Sequence, residues 1–157
     1  MLGAVACSAA SPKVRREGQG DPVVESVLAR TRAFLDSYAR NDMMGVEGMI
    51  DPEGVSVYGS DVAEYVVGAA ALRQLMADDF ALWRSARFGA PTRMSVRATD
   101  ALATVIFDVP FSAGGRPPLL VRVTMVWRAD RGQWWLTQSS NVVPTVGSAA
   151  HQLVTAP

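Results

Sequence analysis

The chain has 157 residues, and 49% of them are hydrophobic, which is enough to build the core of one domain. Charged residues make up 19%, and 15 Lys and Arg balance 15 Asp and Glu, so the composition excludes a disordered chain and offers no basic surface for nucleic acid. One cysteine cannot form an internal disulfide, and one histidine, His151, gives zinc or haem no ligand set. We therefore predict no metal and no cofactor.

The amino end is similar to the end of a bacterial lipoprotein signal. Small residues precede Cys7, and Ser, Ala and Pro follow it, but too few residues precede it for a signal peptide. Two interpretations stay open. If the true start lies upstream of Met1, Cys7 is a lipidation site and the only link to a membrane, and the protein is a cell-envelope lipoprotein. Otherwise the segment is a short flexible arm of a cytoplasmic protein.

The first elements of the domain are predicted to be helices. Asp21 and Pro22 form a helix start, as N-cap and first helical residue. Apolar residues then recur every three or four positions to about Asn41, which predicts an amphipathic helix. A second, short helix is predicted over Met43–Ile50, before Asp51-Pro52.

A small hairpin and a third helix are predicted next. Val55–Tyr58 and Tyr65–Val67 have the pattern of two short strands around a turn that contains Gly59. Gly68 leads into a helix that ends before Gly89, and its apolar stripe includes one carboxylate. The stripe consists of Leu72, Leu75, Met76, Asp79, Phe80 and Trp83.

The rest of the chain is predicted to be strands, at residues 92–99, 101–111, 119–128 and 133–143. Short connections between them favour an antiparallel meander. Helices followed by strands indicate an α+β domain, in which a strongly curved antiparallel sheet packs on three N-terminal helices.

Two local motifs add a resemblance to a known family. Gly59-Ser60-Asp61, Glu64 and the run Gly68–Leu72 are similar to the entry into the third helix of SnoaL-like proteins, a branch of the nuclear transport factor two-like superfamily. Arg122–Trp127 and Gly132-Gln133-Trp134 resemble the closing hairpin of that family. The resemblance implies a cone-shaped domain, but this cone hosts isomerases, cyclases, dehydratases and many proteins that are not enzymes.

The resemblance spans about residues 23–143 and suggests how the chain is divided. We place the cone domain at residues 22–146. Residues 1–21 are then a truncated signal-like segment with a linker, and residues 147–157 are a flexible tail.

The last predicted strand ends in small polar residues. In many SnoaL-like relatives this strand carries one or two His residues, and Gln138 and Ser140 stand at the matching positions. Alternate residues of a strand share a face, so Gln138 and Ser140 are expected to look into the cone with Trp134, while Ser139 and Asn141 face away. Gln and Ser can orient a ligand but cannot take up a proton near neutral pH.

Asp79 and Arg122 each have two readings. Asp79 is either a pocket carboxylate with a raised pKa, able to act as a general base, or a solvated group at the edge of its helix. Arg122 is either a pocket cation for a carboxylate ligand or the partner of Asp108 on the neighbouring strand.

Aromatic residues complete the predicted pocket. Tyr38, Tyr58 and Trp83 are candidates for its rim, although aromatic residues on buried stripes more often belong to the core. The expected walls are apolar and suit a small apolar or weakly polar ligand. They are Phe34, Met76, Phe80 and Trp134.

Strands with apolar residues on both faces need cover on both sides, and the helices cover only one. We therefore expect a homodimer that packs sheet against sheet. The surface predicted for it consists of Val121, Val123, Met125, Trp127 and Trp135.

Two functions remain open on the sequence. The one favoured is a non-catalytic module for ligand binding or assembly, because no clear acid–base pair is visible. The alternative is an isomerase, cyclase or dehydratase with Asp79 as its base, and an enclosed cavity containing Asp79 would favour it.

Overall fold

The computed structural model describes residues 14–16, 20–83 and 85–145. Cys7, His151 and the predicted tail at 147–157 lie outside these ranges, so lipidation of Cys7 stays a prediction. Among the described residues, no helix is both long enough and apolar enough to cross a membrane.

A two-residue strand, β1 (Arg15–Arg16), comes first, in a segment that the sequence analysis assigned to the linker. Helix α1 (Pro22–Ala39) begins as predicted, because the Asp21 side chain accepts a hydrogen bond from the Val23 N–H at 2.9 Å. Helix α2 (Met43–Glu47) is shorter than predicted and ends at Gly48.

The next three elements follow the prediction closely. Strands β2 (Ser56–Tyr58) and β3 (Tyr65–Val67) form a hairpin, and helix α3 (Ala69–Trp83) follows. Gly59 has no room for a side chain, since an added Cβ would collide with the side chain of Glu64. This close approach explains why a glycine begins the turn.

Within the described residues, the sheet has eight strands. A short strand, β4 (Arg87–Phe88), precedes the four long ones: β5 (Thr92–Ala98), β6 (Leu102–Ser112), β7 (Leu119–Asp130) and β8 (Gln133–Val142). The main order is β1-β5-β6-β7-β8-β2-β3, and β4 pairs with β6. The sheet is mixed rather than purely antiparallel, because β2 and β8 run parallel. The α+β class and the helix-then-meander order are confirmed.

The core lies between the helices and one face of the sheet, the inner face. Trp127 is fully buried there, and its ring meets Phe34 of α1 edge to face at 6.3 Å. Val123 and Met125 are buried on the same face. The predicted dimer surface is therefore wrong for these residues, because the helices already cover them. Of that set, Trp135 alone lies on the outer face, opposite Arg128.

A β-bulge changes the faces of β8. Trp127 pairs with Leu136, but its neighbour Val126 pairs with Gln138, so Thr137 is an extra residue without a partner in the ladder. An extra residue reverses the alternation beyond it. Residues 139 and 141 consequently point inward and residues 138 and 140 outward, which corrects the predicted faces.

Candidate functional site

A cavity of about 190 Å³ lies between the helices and the inner face of the sheet. Most of its wall is apolar and comes from α1, α3 and β7, through side chains such as Phe34, Leu75, Val121 and Val123. Pockets that bind small molecules commonly combine such walls with a few convergent polar groups. The polar groups here stand on two opposite walls.

The helical wall carries a phenol and a carboxylate. The Tyr38 hydroxyl on α1 donates a short hydrogen bond to Oδ2 of Asp79 on α3. Burial raises the pKa of Asp79; the Tyr38 hydrogen bond opposes this shift, while the charges of Glu64 and Asp78 add to it. Burial, the charge of Asp79 and the bond to it raise the pKa of Tyr38, so the phenol keeps its proton. Asp79 is thus not a solvated group at the edge of its helix.

Glu64 is a second carboxylate on the cavity, contributed by the β2–β3 hairpin. Its Oε2 accepts a hydrogen bond from the Asp61 N–H at 3.2 Å, and the Glu64 N–H donates one to the Asp61 carbonyl at 3.0 Å. Gly59 closes the turn by donating to the Glu64 carbonyl at 2.8 Å. The Gly-Ser-Asp…Glu motif therefore holds a carboxylate beside the cavity.

The sheet wall carries Ser139 and Asn141, which the bulge at Thr137 turns inward. Ser139 is only 6% exposed. Among the hydrogen bonds that join described residues, none involves the Ser139 hydroxyl or the Asn141 amide. Both side chains can therefore bond to a ligand. Sequence reasoning missed them because it assumed unbroken alternation along β8.

An aromatic group lies next to the carboxylate. Tyr38 and Trp83 have ring centroids 6.2 Å apart, and Trp83 meets Phe111 at 5.0 Å. Phe88 meets Phe111 at 5.2 Å and Tyr38 at 6.3 Å. All four rings line the cavity. Of the predicted rim, Tyr38 and Trp83 therefore lie on the cavity.

Several other predicted site residues lie elsewhere. Tyr58 is 46% exposed and lies outside the cavity, with its ring tilted against Tyr65 at a centroid distance of 4.8 Å. Gln138 and Ser140 are on the outer face, and their predicted role in the pocket is contradicted. Of the residues predicted to form the cavity walls, Phe34 does line the cavity. Three do not line it: Met76, Phe80 and Trp134.

Arg122 is not a pocket cation. Its guanidinium donates to both oxygens of Asp108, at 2.7 and 3.0 Å, on the outer face of the sheet. Asp108 is almost fully buried, and the Arg122 bonds lower its pKa against the opposing effect of burial. The second reading of Arg122, as the partner of Asp108, is the one the structure shows.

A second buried carboxylate, Asp51, was not singled out by the sequence. It accepts two bonds from Arg128, at 2.7 and 2.8 Å. The Arg128 bonds lower the pKa of Asp51, and burial opposes them. The described residues contain no group of three or more His, Cys, Asp or Glu side chains that could hold a metal ion.

Comparison with known proteins places this chain in one family. The model of the SnoaL-like domain matches residues 27–145, so the chain belongs to the SnoaL-like family of the NTF2-like superfamily. No curated protein matches the chain significantly.

Solved structures show the same fold. A proposed dehydratase of the NTF2-like family from Streptomyces avermitilis is 21% identical, with a TM-score of 0.71 over 78% of this chain and 96% of that one. A protein with a cystatin-like fold from Caulobacter vibrioides is 12% identical, with a TM-score of 0.69 over 85% of this chain and 98% of that one. A cystatin-like protein from Burkholderia xenovorans is 20% identical, with a TM-score of 0.64 over 87% and 99%. At these identities the likeness extends to the fold alone.

Proposed function

We propose that the chain binds one small, largely apolar molecule inside the cone, with the polar end of that molecule at Tyr38 and Asp79. The observation that carries this is the hydrogen-bonded pair of these two side chains on the wall of an otherwise apolar cavity. The Ser139 hydroxyl supports it, because it is buried on the opposite wall and is not bonded to any described residue.

The size of the cavity limits the ligand. Its volume is about 190 Å³. A dry engineered cavity of roughly 150 Å³ in another protein holds one benzene molecule. We therefore expect a ligand with one ring, or an apolar body of similar size, and a short polar substituent.

The same site supports a catalytic function as a second candidate. Burial in the cavity makes Asp79 a stronger base than an ordinary aspartate. Tyr38 occupies Oδ2, whereas Oδ1 has no hydrogen-bond partner among the described residues and is available to take a proton. After taking a proton from a substrate carbon, Asp79 would return it to a different atom. In an isomerisation that atom is another carbon or oxygen. In a cyclisation it is the oxygen of a carbonyl that the new carbon–carbon bond has converted to an alkoxide. In a dehydration it is the hydroxyl oxygen, which leaves as water when its C–O bond breaks.

One pair of variants tests whether the cavity binds the ligand. Leu75→Trp places a bulky ring on the cavity wall, whereas Leu82→Trp places the same ring on the exposed side of the same helix. Small molecules that copurify with each protein are identified by native mass spectrometry. We expect the wild type and Leu82→Trp to retain the ligand and Leu75→Trp to lose it. Equal retention by both variants would contradict binding in the cone.

Deuterium exchange separates a binding module from an enzyme. The copurified molecule is incubated with the protein in D2O, and loss of its C–H signals is followed by NMR. If Asp79 is a general base, the wild type exchanges a carbon-bound proton and Asp79→Asn does not. If the chain is a binding module, neither protein accelerates exchange, although both bind the molecule.

A homodimer stays a proposal, with its surface moved to the outer face of the sheet. Ile106, Leu120 and Val142 are exposed there to 39, 41 and 48%. They lie on β6, β7 and β8, on the face opposite the cavity. A second copy packed against this face would bury them.

A further inference from the structure

The charges around the cavity point to the chemical class of the ligand. Resting on the proposed binding site, we infer that the ligand is an organic cation: an amine, protonated at neutral pH, on an apolar body of about one ring. Asp79 and Glu64 bind its charged nitrogen, and Ser139 accommodates a neutral polar group.

The described part of the cavity wall has two carboxylates and no positive partner for them. Asp79 and Glu64 both line it, whereas none of the described lining residues is Lys, Arg or His. Glu64 and Asp79 line the same cavity as like charges, and the repulsion from Glu64 adds to the raised pKa of both Asp79 and Tyr38. A cation bound between them would remove this repulsion, and an anion would increase it.

Two other buried carboxylates among the described residues have the cationic partner that Asp79 lacks there. Asp51 and Asp108 are each almost fully buried, and each accepts two hydrogen bonds from its own arginine. Among the described residues, Asp79 has only the neutral phenol of Tyr38 as a partner and forms no salt bridge. A partly buried carboxylate is stabilised by a paired cation. The part of the chain that the structure describes supplies none at this position, whereas a ligand can.

The aromatic rings fit the same ligand. Trp83, Phe88 and Phe111 lie on the cavity wall together with Tyr38, which holds the carboxylate. Aromatic rings attract ammonium groups through their negative faces, and Trp is the strongest of them in this respect. An ammonium group at Asp79 is therefore close to aromatic side chains as well as to a carboxylate.

Ser139 supplies the second point of contact. Its side chain is buried on the sheet wall, points into the cavity and has no partner among the described residues. A ligand atom that bonds to this hydroxyl adds a hydrogen bond inside the cavity and contributes to affinity. In the catalytic candidate, Glu64 holds the ammonium while Asp79 takes the proton.

Three probes of nearly equal shape and different charge test the inference. Benzylamine is cationic at pH 7, benzyl alcohol is neutral and benzoate is anionic. Dissociation constants are measured by NMR titration of the full chain at low salt. A charge-assisted hydrogen bond is stronger than a neutral one, so we expect benzylamine to bind roughly tenfold more tightly than benzyl alcohol, and benzoate not to bind.

Variants test whether the preference for benzylamine over benzyl alcohol arises in the cavity. Asp79→Asn is expected to bring the ratio of the benzylamine and benzyl alcohol constants to about one, and Glu64→Gln to reduce it. Asp36→Asn removes the same charge from an exposed position on α1 away from the cavity and is the matched control, expected to keep the ratio. An NMR spectrum of each variant is recorded before its titration to show that the variant is folded.

The outcomes distinguish this inference from the proposed binding site. If benzyl alcohol or benzoate binds as tightly as benzylamine, and Leu75→Trp abolishes that binding, the proposed binding site is supported. The inference that the ligand is a cation is then wrong. If Asp79→Asn leaves the benzylamine preference unchanged, the amine binds elsewhere and the inference is also wrong. If none of the three probes binds, both the site for a one-ring ligand and the inference are overturned.

Discussion

Ser139 of β8 pairs with Met125 of β7, and both side chains lie on the cavity side of the sheet. This pairing exists because Thr137 forms a bulge, without which Gln138 would stand at the inner face. A single extra residue therefore decides that the cavity receives a small hydroxyl and an Asn amide rather than a Gln amide.

The first prediction tests that pairing. Ser139→Ala removes the hydroxyl from the cavity and is expected to weaken binding of a probe that bonds to it by about 1 kcal/mol, or roughly fivefold in Kd. Gln138→Leu, on the outer face, is expected to leave the Kd unchanged. NMR titration with 3-hydroxybenzylamine, which carries a second polar group, measures both. A loss with Gln138→Leu and none with Ser139→Ala would show that the bulge is misplaced.

The second prediction concerns the stability cost of Asp79. Since burial raises its pKa in the folded state, its ionisation disfavours folding as the pH rises through that pKa. Asp79→Asn keeps an acceptor for Tyr38 and removes the charge, so we expect its Tm at pH 7 to be higher than that of the wild type by roughly 2–4 °C. The difference should shrink towards about pH 4, where the wild-type carboxyl is protonated too. Thermal unfolding at both pH values measures it, with Asp36→Asn, at an exposed position on α1, as the control. A variant less stable than the wild type at pH 7 would contradict the assignment.

The third prediction concerns Asp108, whose ionised form stabilises the folded state, in contrast to Asp79. The Arg122 bonds lower the folded-state pKa of Asp108, so its contribution to stability is present above its unfolded-state pKa of about 3.9 and is lost as the pH falls through the folded value. Asp108→Asn should be less stable than the wild type at pH 7 and should lose less stability between pH 7 and pH 3. Urea unfolding followed by tryptophan fluorescence measures this. Parallel pH curves for the two proteins would be the contrary result.

The fourth prediction concerns self-association. If two copies pack through the outer face of the sheet, Ile106→Glu places a charge in the interface and yields a monomer. Leu82→Glu, at an exposed position on α3, is the control and should keep the dimer. Sedimentation velocity at micromolar concentration reports the state of each protein. A wild type that is already monomeric under these conditions would end the proposal.

The sequence by itself determined the elements that depend on local signals. The start of α1 follows from Asp21 and Pro22, whose effects on the backbone act within one turn. Strand β3 and the helix after Gly68 were also predicted at nearly the observed residues, because a change in periodicity and a glycine mark their limits. The α+β class follows from the order of these elements.

Only the tertiary structure decided which side chains meet. Tyr38 and Asp79 are 41 positions apart, and their hydrogen bond depends on how α1 and α3 pack. The register of β6 against β7 settled that Arg122 binds Asp108, which the sequence had left as one of two readings. The inner face of β8 was mispredicted at the bulge, because an extra residue in a ladder is a property of the pair of strands. Local patterns fix the conformation of a segment, whereas a cavity is formed by contacts between segments, and a single residue of register moves every side chain beyond it to the other face.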